Sequence, residues 1–191
     1  IFQLAFLIEI DGKIVQEKEI RMRPERPDRI SPEALEITRK TKAELLSYPP
    51  KRQGYEELIR TMERWVHRYN KSDKMLWIGQ NPEFDVRFVR TLFREMDDKF
   101  FGSWWDRGPA DLITLAKIMK IRGHISPPDY KLGSLAAECD VPLEAHDALA
   151  DVRATYLVWN KLMKLIPPRS APVKKRKKKA AASDSLELGL S

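Results

Sequence analysis

The chain has 191 residues, 42% of them hydrophobic, which suits one globular domain with a sizeable core plus a tail. Its formal charge of +7 is unevenly placed: residues 167–191 hold seven Lys/Arg against two acids, leaving a nearly neutral body of 28 basic and 26 acidic side chains. A single cysteine, Cys139, excludes an intrachain disulfide and a cysteine zinc cluster. The longest mostly apolar run, residues 1–10, is far short of the roughly 20 residues that cross a bilayer. A cytoplasmic location without membrane segment or secretory leader is the expectation. Because translation does not normally start with isoleucine, Ile1 predicts that sequence lies upstream.

Residues 1–10 and 13–20 are rich in β-formers and flank Asp11-Gly12, the dipeptide that a type I′ turn requires, so a hairpin is predicted. Prolines 24, 27, 32, 49 and 50 punctuate a loop region with two short helices, capped by Ser31 before Pro32 and by the Thr41 to Glu44 box. Apolar residues at 55, 58, 59, 62, 65, 66 and 69 predict an amphipathic helix over 55–69. Residues 75–79 read as a buried strand. Asn81-Pro82 then starts a helix whose apolar side is expected to carry Phe84, Phe88, Val89, Leu92, Phe93 and Met96. Further helices are predicted over 109–119 and 132–139, and a long one over 147–166 that Pro167-Pro168 ends. Strands in front with helices behind favour an α/β fold, a mixed sheet covered by helices. The domain is set at 1–166; the run at 174–179 within the remaining 167–191 predicts a disordered basic tail.

Two aspartates resist a structural explanation. Asp85 falls one turn into its helix, on the same side as Val89 and Leu92, and ionised carboxylates are seldom buried without a partner or metal. Asp151 sits similarly among Ala148, Val152 and Thr155. His146 precedes that last helix by one residue if Asp147 is its N-cap. Two inward carboxylates on different helices beside a histidine suit metal-assisted phosphoryl chemistry: magnesium takes hard oxygen ligands, and histidine accepts a proton near neutral pH. The structural alternatives are a carboxylate placed against a helix dipole and a loop histidine without a role.

Gly79-Gln80-Asn81-Pro82-Glu83-Phe84-Asp85 resembles the second motif, and His146-Asp147-Ala148-Leu149-Ala150-Asp151 the third motif, of the DEDDh 3′-5′ exonucleases, the DnaQ-like family. The stretch from Pro27 through Ile30, Ala34, Ile37 and Thr41 to Leu45, and Lys131 to Ala136, are similar to further family segments, so the likeness covers about 1–165. The resemblance implies a ribonuclease-H-like fold with a five-stranded mixed sheet and two metal ions, Mg²⁺ or Mn²⁺. It makes Asp85 and Asp151 metal ligands, His146 the general base, and Asn81 and Phe84 neighbours of the terminal nucleotide. Family members often have histidine where this chain has Gln80. The family's first motif, Asp-x-Glu on the central strand, is missing, so the chain is expected to lack that strand. Glu9 and Asp11 share a strand face but are better read as a strand end and a turn.

The leading expectation is a metal-dependent 3′-5′ exonuclease of the proofreading or repair type acting on nucleic acid, DNA ahead of RNA, with a polymerase or replication protein as a partner. Without the first motif, the chain is expected to bind metal poorly. The alternative is a catalytically inactive nucleic-acid-binding module of the same fold, using the basic tail for affinity.

Overall fold

A computed structural model describes residues 1–143 and 147–167. It begins with an antiparallel hairpin, β1 (Gln3–Ile10) and β2 (Lys13–Arg21), closed by Asp11 and Gly12 at φ 51° and 77°. Positive φ at both positions gives the turn a twist that matches the strands, as the Asp-Gly dipeptide predicts. A register shift between Ile8 and Glu9 bends the hairpin near its tip. Two short helices follow, α1 (Pro32–Thr38) and α2 (Lys42–Ser47), each capped as expected: Ser31 Oγ accepts from the Ala34 amide, and Thr41 Oγ1 from the Glu44 amide.

Helix α3 (Lys51–Glu63) begins four residues earlier than its apolar pattern suggested and stops six residues sooner. Trp65 and Val66 continue the apolar spacing beyond the helix, and the loop is tied back by the Asp73 carboxylate, which accepts from the His67 amide at 2.7 Å. The strand expected over 75–79 reduces to β3 (Ile78–Gly79), paired in parallel with β4 (Ala110–Asp111), with a separate bridge from Met75 to Trp105. The later helices are α4 (Pro82–Glu95), α5 (Leu112–Ile121), α6 (Leu132–Glu138) and α7 (Ala148–Lys164). No helix among the described residues is long and apolar enough to cross a membrane.

Two apolar clusters hold these elements. In one, Ile20 and Met22 of the hairpin side meet Leu58 of α3, Leu92 and Phe93 of α4, and Trp104, all buried. In the other, α5, α6 and α7 pack through Leu112, Met119, Leu135, Val158 and Leu162. Cys139 joins this second cluster as a buried thiol. Helix α7 also lies on the hairpin, where Arg153 pairs with Glu17.

Among the described residues the strands form two separate two-stranded sheets, β1-β2 and β3-β4. Between them runs an apolar slot of about 110 Å³, partly open to solvent and lined by Leu4, Leu7 and Ile8 on one side and Met75, Trp77 and Ile78 on the other. Leu7 and Ile8 point to opposite faces of β1, so both faces border the slot, which therefore opens on strand edges.

Gly54 sets the approach of α3 to the hairpin. A Cβ at this position would stand 2.8 Å from Met22 Sδ, closer still to Met22 Cγ, and 3.2 Å from Ile20 Cγ2. Alanine gains about 1 kcal/mol of helix propensity over glycine, but forcing a methyl into a filled core costs roughly 1–3 kcal/mol. Gly54→Ala is therefore expected to lower the midpoint of urea unfolding, with a net loss of about 1 kcal/mol; a raised midpoint would refute this packing.

Candidate functional site

The two motif aspartates occupy equivalent places, each the fourth residue of its helix: Asp85 in α4 and Asp151 in α7. The positive end of a helix macrodipole favours a carboxylate in this first turn. Asp151 is half-buried and shares a line of the helix with the buried Ala154, Val158 and Leu162, as its sequence context predicts. Its amide donates to the Asp147 carbonyl at 2.9 Å, and the Asp147 carboxylate caps the helix by accepting from the Ala150 amide at 2.8 Å. His146, the expected general base, lies outside the described residues.

Asp85 departs from its expected inward setting. The buried side of α4 is Pro82, Val86, Val89, Leu92 and Phe93, and Asp85 lies at the margin of that arc, exposed by area. Desolvation by the adjoining protein nevertheless raises its pKa above the ordinary carboxylate value, opposed by a hydrogen bond from its own backbone amide. The two observations agree if the carboxyl is open on one side and crowded on the other. No ion pair among the described residues involves it.

Phe84 and Phe88, expected on the core side of α4, are instead 58% and 42% exposed and form an edge-on pair with centroids 4.8 Å apart. One turn of helix separates them, so they flank the Asp85 side as an open aromatic step. Trp104, by contrast, is fully buried, and Trp105 packs against the same core, so these two tryptophans serve packing.

Asn81 stands at the N-cap position but does not cap. Its backbone is left-handed, φ 53° and ψ 49°, and its side chain makes no capping bond. The Asn81 amide instead donates to Asp111 Oδ1 at 3.0 Å. Asp111 also accepts from the Ile113 and Thr114 amides and the Thr114 hydroxyl, capping α5 at the same time. One half-buried carboxylate thus joins the turn that launches α4 to the start of α5. Its reach to Asn81 is a contact across 30 residues that no local pattern reveals. Gln80, in the motif position where histidine is frequent, donates from Nε2 to the Tyr130 carbonyl at 2.6 Å and fastens the loop before α6. Asp11 sits in the hairpin turn, as its structural reading required.

Carboxylate oxygens suit a hard divalent cation, and Asp85, outside every ion pair among the described residues, fits a ligand role. Among the described residues, however, no three His, Cys, Asp or Glu side chains converge closely enough to hold a metal ion alone.

Residues 1–159 match the RNase_T exonuclease family. Among solved structures, a moderately thermophilic Exonuclease I from Methylocaldum szegediense superposes with a TM-score of 0.67 at 21% identity, over 88% of this chain and 37% of that one. The chain thus spans little more than a third of that protein, and the likeness shows a shared fold. No curated protein sequence matches the chain.

Burial works to raise the Asp111 pKa, but hydrogen bonds from Asn81, Thr114 and Ile113 outweigh it and hold the carboxyl below its ordinary value. A lowered folded pKa contributes stability above the unfolded value near 4 that is lost as pH falls through the folded one. Asp111→Ala is expected to cost about 2 kcal/mol at neutral pH, a gap that narrows only below roughly pH 4 in chemical unfolding curves. Asp85 has the opposite sign, because its charged form is the disfavoured one. Asp85→Asn is expected to leave the neutral-pH Tm equal to or above that of the parent, with the difference closing in acid as Asp85 protonates; a clear fall in Tm would assign Asp85 a structural partner.

Proposed function

The chain belongs to the exonuclease family, and we propose that it is the core of a divalent-metal-dependent 3′-5′ exonuclease that releases nucleotides from the 3′ end of DNA, in proofreading or repair. The observation that carries this reading is Asp85, a carboxylate of raised pKa without an ion-pair partner among the described residues, beside the exposed Phe84–Phe88 step and inside the family match over residues 1–159.

In this reading Asp85 and Asp151 supply hard oxygen ligands from the first turns of α4 and α7. A bound Mg²⁺ or Mn²⁺ would supply electrostatic stabilisation of the phosphate charge that builds during cleavage. His146 takes the proton of the attacking water. Phe84 offers its ring to the terminal base, and Asn81, held by Asp111, sets the start of the helix beside it. The slot between β1 and residues 75–78 supports one more element of the proposal: an extra strand, contributed by sequence beyond residues 1–191, that pairs with both edges and brings two further carboxylates. The same strand would cover the apolar lining. A polymerase or other replication protein as partner is part of the same proposal.

The alternative, an inactive binding module of this fold, is favoured by the lack of a complete ligand cluster among the described residues. A single assay separates the two. The protein, extended upstream by its flanking sequence, is incubated with 3′- and 5′-labelled single-stranded oligonucleotides, with magnesium and with chelator. Metal-dependent release of mononucleotides from the 3′ end is expected, with His146→Ala at least about a hundredfold slower and Asp85→Asn and Asp151→Asn inactive. Intact oligonucleotide with a folded, metal-supplied protein would leave the binding module.

A further inference from the structure

At the opposite end of α4 from Asp85 the surface carries a cation of another kind. The Arg68 guanidinium lies 5.3 Å from the ring centroids of Tyr69, Phe100 and Trp104. Trp104 is the buried floor, whereas Tyr69 and Phe100 are 81% and 59% exposed. None of the ion pairs among the described residues includes Arg68. Three buried side-chain polar atoms lack a hydrogen-bond partner among the described residues, and all three are N–H donors in this neighbourhood: Arg68 Nε, Trp65 Nε1 and Trp104 Nε1. Arg68 and Trp65 line an open cleft of about 460 Å³.

Buried donors without acceptors are costly; Trp104 is fully buried, whereas Trp65 and Arg68 line the cleft, where an acceptor from outside can approach. Two carboxylates, Glu63 and Asp73, line the cleft, and neither forms an ion pair with Arg68 among the described residues; Asp73 accepts from the His67 amide, and Asp98 accepts from the Tyr55 hydroxyl and the Phe100 amide. Arg64 also lines the cleft, is exposed, and adds positive charge. Two open rings framing a guanidinium match a ligand with flat faces and anionic oxygens in alternation, as in a single strand of nucleic acid. An acidic peptide offers the oxygens without the stacking faces.

We propose that Tyr69, Arg68 and Phe100 form a second docking site for single-stranded nucleic acid, with bases stacked on the two rings and phosphate oxygens facing the arginine. The C-terminal end of α4 is about 15 Å along the helix from Asp85, at 1.5 Å per residue, and Phe100 follows that end, so the site engages a part of the strand away from the scissile end. The proposal deepens the nuclease reading by giving the enzyme a grip on the body of its substrate, and it rests on that reading for the class of ligand.

The test is fluorescence anisotropy of a labelled oligothymidylate of about 16 nucleotides, the upper site size of a single-strand-binding fold, titrated with the full chain in chelator, with inorganic polyphosphate as a competitor that lacks bases. Tyr69→Ala and Phe100→Ala each remove an exposed ring and spare the core. Each is expected to weaken oligonucleotide binding roughly tenfold and to leave polyphosphate affinity within about twofold, while Arg68→Lys weakens the oligonucleotide more than polyphosphate. Unchanged oligonucleotide affinity in both ring variants overturns the site, as does an equal loss for polyphosphate, which would mean charge alone. The oligonucleotide cleavage assay keeps the two readings apart. Metal-dependent cleavage with unaltered binding in the ring variants sinks the docking site only, whereas ring-dependent binding without cleavage sinks the nuclease reading only.

Discussion

Everything at the candidate site depends on how α4 is seated. Its buried arc, Val89, Leu92 and Phe93, is removed from water against the hairpin, α3 and the loop that follows the helix. Phe93 alone meets three rings edge-on, those of Tyr55, Phe101 and Trp105, with centroids 5.3–5.7 Å apart. Interiors packed at crystal-like density resist sliding, so the rotation and axial position of α4 are set by its C-terminal half. Its N-terminal turn, carrying Phe84 and Asp85, projects from that anchor. The left-handed Asn81 and the Asp111 carboxylate settle where the projecting turn begins.

The two ends of this helix meet opposite needs. Among the described residues, a carboxylate at the N-terminal end stands without an ion-pair partner, partly desolvated, and a guanidinium at the C-terminal end rests on aromatic rings without an ion pair. Elsewhere the protein pairs its charges readily. Lys51, almost wholly buried, meets both Glu25 and Glu95, and Arg153 meets Glu17. An unpaired charge next to protein is a local cost to stability that a ligand of opposite charge relieves. A divalent cation at one end and a polyanionic strand at the other are complementary in that sense, and a nucleic acid running along the helix would meet both.

The division into two small sheets is the other organising constraint. β3 and β4 are two residues each, and a parallel pair of that length buries too little to stand alone. They are held by what surrounds them: Asp111 at the end of β4, the Ala110 amide donating to the Trp77 carbonyl at 2.7 Å, and the Trp77 to Trp105 contact. The slot between the sheets leaves Leu76 and Ile78 more than a third exposed, an unusual setting for apolar residues beside a sheet and one that a neighbouring strand would correct.

Local physics made much of this legible in the amino-acid sequence. The hairpin follows from Asp11-Gly12 and its backbone demands, the caps at Ser31, Thr41 and Asp147 from hydroxyl and carboxylate chemistry, and the family from two motifs whose spacing is a property of the chain alone. Helical periodicity identified α4 but assigned Phe84 and Phe88 to its core side, because a wheel reports which residues share a side and not which neighbours reach it. Only the tertiary structure decided that the first turn of α4 stands clear of the core, that Asp111 reaches back to Asn81, and that Arg68 sits among rings contributed from residues 69, 100 and 104. The decisive contacts join residues 30 or more positions apart, and their geometry is set by the packing of whole elements, which no window of sequence contains.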